Sequence, residues 1–384
     1  MAMIGVAVLG STGSIGRSAL RVLERHPDRF RVVALAAHSR GAELVAQARA
    51  HGARLAVLAN GGPVPDAPGV RVRTGPEALL EVAAHPDADV VLNAVVGAAG
   101  LEATLAALGA GKRLALANKE SLVAGGELVQ AALRAGGGQL VPVDSEHSAI
   151  LQCLAGSGAR TADVRRVVLT ASGGPFRAWS AERLDGAEPR DALKHPTWDM
   201  GAKITVDSAT LANKALEVIE AHYLYGLDYD AIEAVVHPQS IIHSFVELVD
   251  GSVLAQLGFP DMELPILYAL SHPERVADSG TRRFDPVAAG PLTFEAVDRE
   301  RFPAFALGEA AGRAGGTAPA VYNAANEVAV AAFLEGRLNF TGVAEVIRAT
   351  LDMHDPRAAD TLESVLEADG WARATAADAL EKQC

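Results

Sequence analysis

The sequence of 384 residues predicts an α/β protein with a doubly wound parallel sheet, then a central α+β region, then a bundle of helices. Three observations predict this architecture. Short apolar runs alternate with helical patterns through the first 145 residues, and such alternation builds a parallel sheet covered by helices. Apolar runs then follow one another closely in the middle of the chain, as in a partly antiparallel sheet. From residue 302 onward the apolar spacing is helical.

The first region contains six apolar runs of strand length. The run at 4–9 is rich in β-branched residues, which favours a buried strand. The predicted strands are 4–9, 31–37, 55–58, 89–94, 113–115 and 139–143, and the predicted helices are 15–25, 42–50, 101–108 and 122–134. Residues 60–69 are rich in glycine and proline and predict a loop.

The rest of the chain changes character twice. The predicted strands of the middle region are 164–170, 232–236, 241–249 and 252–258, with a polar loop at 178–200 and one helix at about 208–222. The predicted helices after the linker are 302–313, 318–334, 342–352 and 359–380. We therefore divide the chain into a dinucleotide-binding domain (1–144), a catalytic α+β domain (145–272), a linker (273–298) and a helical domain (299–384).

Composition excludes several classes of protein. The net charge of −13 argues against a nucleic-acid binder and against binding to anionic membranes. Two cysteines, Cys153 and Cys384, are too few for a disulfide-stapled scaffold or a four-cysteine zinc site. The first ten residues lack the basic start of a signal peptide, and no run approaches the roughly 20 apolar residues of a membrane span. We expect a cytoplasmic protein.

A glycine motif lies between the first predicted strand and the first predicted helix. Gly10, Gly13 and Gly16 allow a tight turn there, and the helix start offers free N–H groups to a pyrophosphate. In this position the motif predicts a Rossmann-like dinucleotide site, although the spacing is also that of an ordinary strand–helix turn.

The residues after the second predicted strand bear on the choice of dinucleotide. An acidic residue in this region would bind a ribose hydroxyl of NAD, but the chain reads His38, Ser39, Arg40. An arginine suits the 2′-phosphate of NADP, so we favour NADP. The alternative is that Arg40 merely begins the next helix and faces solvent.

Two carboxylates follow the predicted strand at 139–143. In extended backbone Asp144 and Glu146 point the same way, so both can bind one cation, and oxygen ligands favour Mg²⁺ or Mn²⁺. The alternative is a helix start, with Asp144 or Ser145 as cap and Glu146 in the first turn. Spacing alone slightly favours the helix start.

The densest polar segment surrounds the helix predicted at about 208–222. Asp207 or Ser208 can cap that helix, and three later residues share one helical face because they are three and four positions apart. These three are Asn213, Lys214 and Glu217. Without other information, Lys214 and Glu217 would be interpreted as a surface ion pair.

Three further segments contain candidate site residues. His195, Trp198 and Met200 lie in the polar loop and belong either to the core or to a lid over a pocket. Ser172, at the start of a Ser-Gly-Gly turn, offers a hydroxyl and N–H groups suited to a phosphate. Lys119 follows a strand at the edge of the sheet where ligands bind, unless Asn118 simply caps a helix there.

Together the motifs resemble one family closely. They are G-S-T-G-S-I-G at 10–16, V-G-A-A-G at 96–100, L-A-N-K-E-S-L-V at 116–123, P-V-D-S-E-H at 142–147, S-G-G-P-F-R at 172–177, H-P-T-W-D-M-G at 195–201, V-D-S-A-T at 206–210, N-K-A-L-E at 213–217, H-P-Q-S at 237–240, F-P-D-M at 259–262 and N-A-A-N-E at 323–327. In this order they resemble the 1-deoxy-D-xylulose 5-phosphate reductoisomerases of the non-mevalonate isoprenoid pathway.

The resemblance implies a role for each matching residue. The metal ligands would be Asp144, Glu146 and Glu217, and the catalytic residues Lys119, Glu146 and His195. The substrate-binding residues would be Lys119, Ser145, Glu146, Ser172, His195, Ser208, Asn213, Lys214 and Glu217. The cofactor-binding residues would be Thr12, Gly13, Ser14, Ile15, Asn118, Glu120 and Gly201, to which we add Arg40. One position departs from the family, because Ser39 stands where members often carry a basic residue.

The resemblance also implies an activity. A divalent cation, Mg²⁺ or Mn²⁺, would assist rearrangement of the phosphorylated ketose, and NADPH would reduce the resulting aldehyde to 2-C-methyl-D-erythritol 4-phosphate. We prefer a retro-aldol/aldol rearrangement to an α-ketol shift, and the sequence does not separate them. A homodimer and a flap around residues 195–200 are implied as well. The competing hypotheses are a metal-dependent dehydrogenase that only reduces a sugar-phosphate aldehyde, and a non-enzymatic nucleotide sensor.

Overall fold

The computed structural model describes residues 3–63, 66–198 and 200–382, so Cys384 lies outside the described residues. The chain forms two compact units. The first comprises residues 1–121, 128–148 and 261–282, and the second comprises residues 122–127, 149–260 and 283–384, in each case within the described ranges. No helix in the described part of the chain is both long and apolar enough to cross a membrane.

The first unit is built on a seven-stranded parallel sheet. The strands are β1 (Ile4–Leu9), β2 (Phe30–Ala37), β3 (Leu55–Leu58), β4 (Arg71–Thr74), β5 (Val90–Asn93), β6 (Arg113–Leu116) and β7 (Gln139–Pro142). Their order is β4-β3-β2-β1-β5-β6-β7, and every pair is parallel. Val6 in β1 lies opposite Val32 and Val90, and the side chains of Val6 and Ala7, which point to opposite faces, are both fully buried, so the centre of the sheet is covered on both faces. The predicted doubly wound sheet is confirmed.

The second unit contains a five-stranded sheet of mixed direction. Its strands are β8 (Val164–Ala171), β9 (Ile232–Val236), β10 (Ile242–Leu248), β11 (Val253–Leu257) and β12 (Glu295–Ala296), in the order β11-β10-β8-β9-β12. β8 and β9 are parallel, and the other pairs are antiparallel. The partly antiparallel sheet predicted for the middle of the chain is therefore confirmed.

Sixteen helices are found in the described residues. They are α1 (Ser14–Arg25), α2 (Gly41–Ala50), α3 (Pro76–Ala83), α4 (Ala99–Gly109), α5 (Lys119–Gly136), α6 (Ser145–Ser157), α7 (Ala181–Asp185), α8 (Pro189–Ala192), α9 (Ala202–Thr210), α10 (Ala212–Tyr225), α11 (Glu263–Ser271), α12 (Pro286–Ala289), α13 (Pro303–Ala314), α14 (Ala318–Leu334), α15 (Phe340–Asp352) and α16 (Leu362–Glu381). Helix α11 belongs to the first unit and α13–α16 belong to the second. Short β4, α3 and α11 were absent from the sequence prediction.

The helix predicted at about 208–222 is wrong as a single element. The structure has α9 and α10 instead, because Leu211 takes a left-handed conformation with φ of 61°. Asp207 and Ser208 consequently lie inside the last turns of α9 and cap no helix, which corrects the predicted capping role. The predicted loop at 178–200 also contains two short helices, α7 and α8.

One continuous core joins the sheet of the second unit to the carboxyl-terminal helices. Phe340 at the start of α15 packs edge-on against Phe176, with ring centroids 4.8 Å apart, and against Phe333 of α14 at 5.8 Å. Phe305 and Tyr322 are fully buried in the same cluster. The four-part division of the chain remains a prediction, and the compact units group the helices of residues 299–384 with the central sheet.

A buried charge network attaches residues 261–282 to α1 within the first unit. The Arg25 guanidinium donates to Asp278 at 2.7 Å and to Glu263 at 2.6 Å, and the Asp278 side chain is only 2% exposed. The hydrogen bond from Arg25 holds the pKa of the Asp278 carboxyl far below its usual range. The segment containing α11 is thereby fixed against the helix that follows the glycine loop.

Candidate active-site residues

The glycine loop connects β1 to α1 and requires glycine at two positions. Gly10 has a φ of +81°, and a Cβ atom there would lie 2.3 Å from the Ala94 carbonyl oxygen. A Cβ atom on Gly16 would lie 2.3 Å from the Gly10 carbonyl oxygen. The glycines therefore let the loop turn sharply while β1 and β5 stay paired.

The amino-terminal end of α1 is suited to an anion. Gly13 is its N-cap, no side chain among the described residues caps it, and its first turn holds no acidic residue. Ser11 Oγ is fully buried, and no partner within the described part of the chain reaches it. Free N–H groups and an unsatisfied hydroxyl are what a dinucleotide pyrophosphate needs. The loop containing Thr12, Ser14 and Ile15 therefore fits the expected cofactor.

Arg40 begins α2, as the alternative interpretation of the sequence proposed. Its guanidinium lies 3.6 Å from Glu43 and its side chain is 52% exposed. Glu43 makes a closer pair with Arg17, at 2.7 Å. Arg40 is thus only loosely held, which leaves its charge accessible to a ligand at the end of β2.

Asn118 is the N-cap of α5, and it also ties two loops together. Its Oδ1 accepts from the Ser121 backbone N–H at 2.9 Å, while its Nδ2 donates to the Val95 carbonyl at 2.8 Å and to Glu120 at 2.8 Å. A Cβ atom on Gly100 would lie 2.4 Å from the Asn118 side chain. The structure is therefore compatible with both interpretations of this segment, namely that Asn118 caps a helix and that the segment lies at the edge of the sheet where ligands bind.

Lys119 reaches the carboxylate that follows β7. Its Nζ donates to Asp144 Oδ2 at 2.5 Å, and the two side chains are 8% and 17% exposed. In the next residues Ser145 Oγ donates to Glu146 Oε2 at 2.6 Å, at the start of α6. The edge formed by β6 and β7 thus presents one lysine, two carboxylates and one hydroxyl.

In the second unit, three predicted substrate residues meet around one imidazole. His195 Nε2 lies 3.0 Å from Ser172 Oγ and 3.1 Å from Ser208 Oγ. A Cβ atom on Gly174 would lie 2.6 Å from the Ser208 carbonyl oxygen, so the Ser-Gly-Gly turn closes directly onto α9. The cluster offers three hydrogen-bonding groups from three separate segments, a combination suited to a phosphate.

The backbone fixes the tautomer of His195. The N–H groups of Thr197 and Trp198 donate to His195 Nδ1, at 3.1 and 2.8 Å, so that nitrogen carries no proton. Burial lowers the pKa of the imidazole to about 4. His195 is accordingly a neutral ring whose Nε2–H donates toward the two serine hydroxyls.

The shared face of Asn213, Lys214 and Glu217 is buried. Lys214 Nζ donates to the Thr170 carbonyl at 2.5 Å and to Glu217, and Asn213 also donates to Glu217. The side chains of Lys214 and Glu217 are 3% and 2% exposed, so the surface ion pair expected from spacing alone is wrong. Asn213 Oδ1 has no hydrogen-bond partner within the described residues and is free to accept from a ligand.

Sequence reasoning missed a supporting contact beneath Ser208. Asp207 is 1% exposed, accepts from Asn326 Nδ2 of α14 at 2.8 Å, and lies in an ion pair with Lys203, whose Nζ is 3.0 Å from the Asp207 carboxylate. Asn326 belongs to the N-A-A-N-E motif, which had been noted only for its resemblance. Similarly, His237 of H-P-Q-S is fully buried and accepts from the Ile241 N–H at 3.1 Å, so its role is structural.

Comparisons with known proteins cover almost all of this chain. Three family models match it, described as 1-deoxy-D-xylulose 5-phosphate reductoisomerase (residues 6–126), its C-terminal domain (140–225) and the DXP reductoisomerase C-terminal domain (257–375). A reductoisomerase of Synechococcus sp. is 52% identical over 97% of this chain and 96% of its own length. That of Ralstonia nicotianae is 51% identical over 100% and 99%. The chain belongs to the 1-deoxy-D-xylulose 5-phosphate reductoisomerase family.

Solved reductoisomerases share the fold. The Zymomonas mobilis reductoisomerase in complex with NADPH is 44% identical, with a TM-score of 0.91, and covers 99% of this chain and 100% of its own. A DOX-P reductoisomerase in complex with NADPH, fosmidomycin and magnesium is 40% identical, with a TM-score of 0.95, and covers 99% and 98%. The predicted fold class and family are thus confirmed.

The reductoisomerase metal ligands implied by the resemblance are hard oxygen donors in both units. Asp144 and Glu146 follow β7 in the first unit, and Glu217 lies on α10 in the second. Asp144 and Glu217 each form an ion pair with a lysine, so a positive charge already lies beside each of these carboxylates. Carboxylate oxygens suit Mg²⁺, so the donor set fits the expected ion.

Proposed function

We infer that this chain converts 1-deoxy-D-xylulose 5-phosphate to 2-C-methyl-D-erythritol 4-phosphate with NADPH and a divalent cation, in isoprenoid precursor biosynthesis. Membership of the reductoisomerase family over nearly the whole chain carries this conclusion. Solved relatives hold NADPH and magnesium, and the glycine loop and carboxylates of this chain fit those two groups. We propose the residue roles below from the contacts around each side chain.

We propose that Asp144, Glu146 and Glu217 hold the cation. When bound, it supplies a Lewis acid and an orienting charge for the ketone and a neighbouring hydroxyl oxygen of the substrate. The neighbouring side chains support this assignment, because Ser145 donates to Glu146 and Asn213 donates to Glu217. Such outer contacts orient ligating carboxylates and make a site more selective.

Lys119 is proposed to stabilise negative charge that develops on a substrate oxygen. Its side chain is 8% exposed and its ammonium group is held by Asp144, so the group is oriented before substrate arrives. A preorganised charge in a dry site is worth far more than one in water. Glu146 and His195 complete the proposed catalytic residues, with His195 positioning the substrate through its Nε2–H.

The substrate phosphate is proposed to bind where Ser172, His195 and Ser208 meet. The two serine hydroxyls each lie within 3.1 Å of the His195 Nε2 atom, so three hydrogen-bonding groups are brought together there. Lys214 donates to the Thr170 carbonyl near the carboxyl end of β8, two residues before Ser172, and adds a positive charge there. The neutral state of His195 means that it contributes a hydrogen bond and no charge.

NADPH is proposed to bind along the carboxyl edge of the parallel sheet. Thr12, Gly13, Ser14 and Ile15 would bind the pyrophosphate, and Arg40 the 2′-phosphate. The cofactor supplies the hydride, while the chain orients it through these contacts. Asn118, Glu120 and Gly201 complete the proposed set, with Asn118 and Glu120 holding the loop after β5 in place.

Finer features are proposed from resemblance. We propose that the chain forms a homodimer, that it acts in the cytoplasm, and that Mn²⁺ can replace Mg²⁺. The edge strand β11 supports the dimer, since Val253 is 57% exposed and Val249 just before it is 69% exposed. Sedimentation of the full chain tests the dimer, and cell fractionation tests the location. Titration of each metal ion tests whether Mn²⁺ can replace Mg²⁺.

The decisive experiment follows NADPH absorbance with purified full-length protein and 1-deoxy-D-xylulose 5-phosphate. Oxidation that requires Mg²⁺ or Mn²⁺, stops with EDTA and yields the branched polyol supports the reductoisomerase. A parallel assay offers the branched aldehyde that the rearrangement produces. Reduction of the aldehyde without turnover of the ketose would indicate a plain dehydrogenase, and NADPH binding without any oxidation would indicate a sensor.

A further inference from the structure

A cationic pocket of about 500 Å³ lies on the first unit, away from every residue proposed above. Its charged and polar lining consists of Arg31, Arg54, Arg71, His51, His85 and Asp87. Val32 and Val33, both largely buried, contribute to its floor. Three guanidinium groups against one carboxylate make this pocket positive in a chain whose net charge is −13.

The pocket occupies the amino edge of the parallel sheet. Arg31 is the second residue of β2, Arg54 directly precedes β3, and Arg71 is the first residue of β4. These three strands are adjacent and parallel, with Leu55 opposite both Ala34 and Arg71. The glycine loop leaves the other end of β1, so the pocket and the proposed cofactor site lie at opposite edges of one sheet.

The charges of this pocket are not compensated by ion pairs. Arg31 donates to the Asp87 backbone carbonyl at 3.2 Å, and within the described residues neither Arg54 nor Arg71 pairs with a carboxylate. By contrast, Arg73 in the same strand as Arg71 is paired with Glu81. Most other arginines of the surface are likewise paired, so an unpaired group of three on adjacent strands is a distinct feature of this unit.

Guanidinium groups select phosphate by geometry. Each presents a planar fork of N–H donors that matches two phosphate oxygens. Neighbouring strands lie about 4.8 Å apart, so three arginines on adjacent strands span about 10 Å. An array of this width suits more than one phosphate group. We propose that this pocket binds a small molecule that carries a diphosphate group.

Inorganic diphosphate is the probe, titrated calorimetrically into the full chain in low salt. Saturating NADPH is present throughout, so that the glycine loop is occupied. Apart from any binding at the proposed substrate-phosphate site, we expect one diphosphate site that the double variant below removes, and orthophosphate should bind to it at least about tenfold more weakly. In the double variant Arg54→Ala/Arg71→Ala the dissociation constant should rise about 100-fold, since each lost charged hydrogen bond is worth about tenfold.

Arg348→Ala is the matched control, because Arg348 is an exposed arginine of α15 in the second unit. It removes one of the two positive charges that the double variant removes, and it should change the dissociation constant less than twofold. Thermal unfolding without ligand checks that each variant is folded. The proposal is overturned if the wild-type chain binds no diphosphate under NADPH, if the double variant binds as well as the wild type, or if Arg348→Ala weakens binding equally.

Discussion

Lys119 Nζ and Asp144 Oδ2 lie 2.5 Å apart, joining the ends of two adjacent strands of the parallel sheet. The lysine begins α5 after β6, and the aspartate follows β7. Asp144 is a proposed metal ligand, so its present counter-ion is a residue that we propose to act on the substrate. A cation at Asp144 would therefore compete with Lys119 for the carboxylate and leave the ammonium group available to a substrate oxygen.

Lys119→Ala should separate catalysis from metal binding. We expect kcat to fall about 100- to 1000-fold, the loss typical when one preorganised donor to a developing oxyanion is removed. The affinity for Mn²⁺ should stay the same or increase, because the competing ammonium is gone. Steady-state kinetics and calorimetric titration of Mn²⁺ measure the two effects, and a parallel loss of metal affinity would make Lys119 a support for the metal site only.

Glu217→Gln should weaken metal binding and lower the stability of the fold at the same time. The substitution leaves Lys214 buried without its carboxylate, which costs about 3 kcal/mol of unfolding free energy. Turnover should fall at least about 100-fold, because the amide lacks the charge that the cation requires. Chemical denaturation and Mn²⁺ titration measure the two losses. Normal turnover at saturating metal would remove Glu217 from the proposed ligand set.

Lys214→Ala should act mainly on substrate affinity. We expect KM for the phosphorylated ketose to rise about tenfold or more through the lost charged contact, with a smaller change in kcat. Inhibition by inorganic phosphate should weaken in parallel, which a purely structural defect would not produce. Lys112→Ala, at a lysine of the first unit, is the charge-matched control. An unchanged KM would place the substrate phosphate elsewhere.

Local pattern predicted the elements of this fold wherever the apolar run was long. The strand at 4–9 and the helix at 318–334 have the predicted bounds, because each buries most of its residues. Pattern failed at Leu211, where packing imposes a left-handed conformation that leucine rarely adopts. It also missed the four-residue strand β4, whose side chains are exposed or half-buried and therefore lack apolar periodicity.

The candidate site could also be predicted only where its features depend on residues close together in sequence. Spacing correctly placed Asn213, Lys214 and Glu217 on one face of a helix, but it gave no sign that this face is buried. The contact between Asn326 and Asp207 spans 119 residues, and no local pattern encodes it. The resemblance to a family supplied what local spacing could not, because the family's motifs include residues, such as Asn326, whose contacts are distant in sequence.

His195 should remain neutral well into the acidic range. Burial lowers its pKa to about 4, whereas the unfolded chain titrates near 6.5. Between these values the unfolded state binds a proton that the folded state does not, so the stability that the neutral ring contributes is present above about pH 6.5 and lost as the pH falls toward 4. NMR titration of the imidazole should give a midpoint below 5.

His195→Asn provides the control for that pH dependence. The amide keeps hydrogen-bonding groups but has no titration between pH 4 and 7, so the variant should lose part of the wild-type decline in unfolding free energy over this interval. Denaturant unfolding at several pH values makes the comparison. Equal slopes for both proteins, or an imidazole midpoint near 6.5, would show that the ring is open to solvent.

Arg40→Ala should narrow the preference for NADPH over NADH. The guanidinium is 52% exposed and 3.6 Å from Glu43, so little of the fold depends on it, and unfolding should be unaffected. A lost contact to the 2′-phosphate should raise KM for NADPH about tenfold and leave KM for NADH unchanged. Arg49→Ala, at an exposed arginine later in α2, removes the same charge without that contact. If both variants change the two cofactors alike, Arg40 acts only through general charge, and the 2′-phosphate is recognised by other residues.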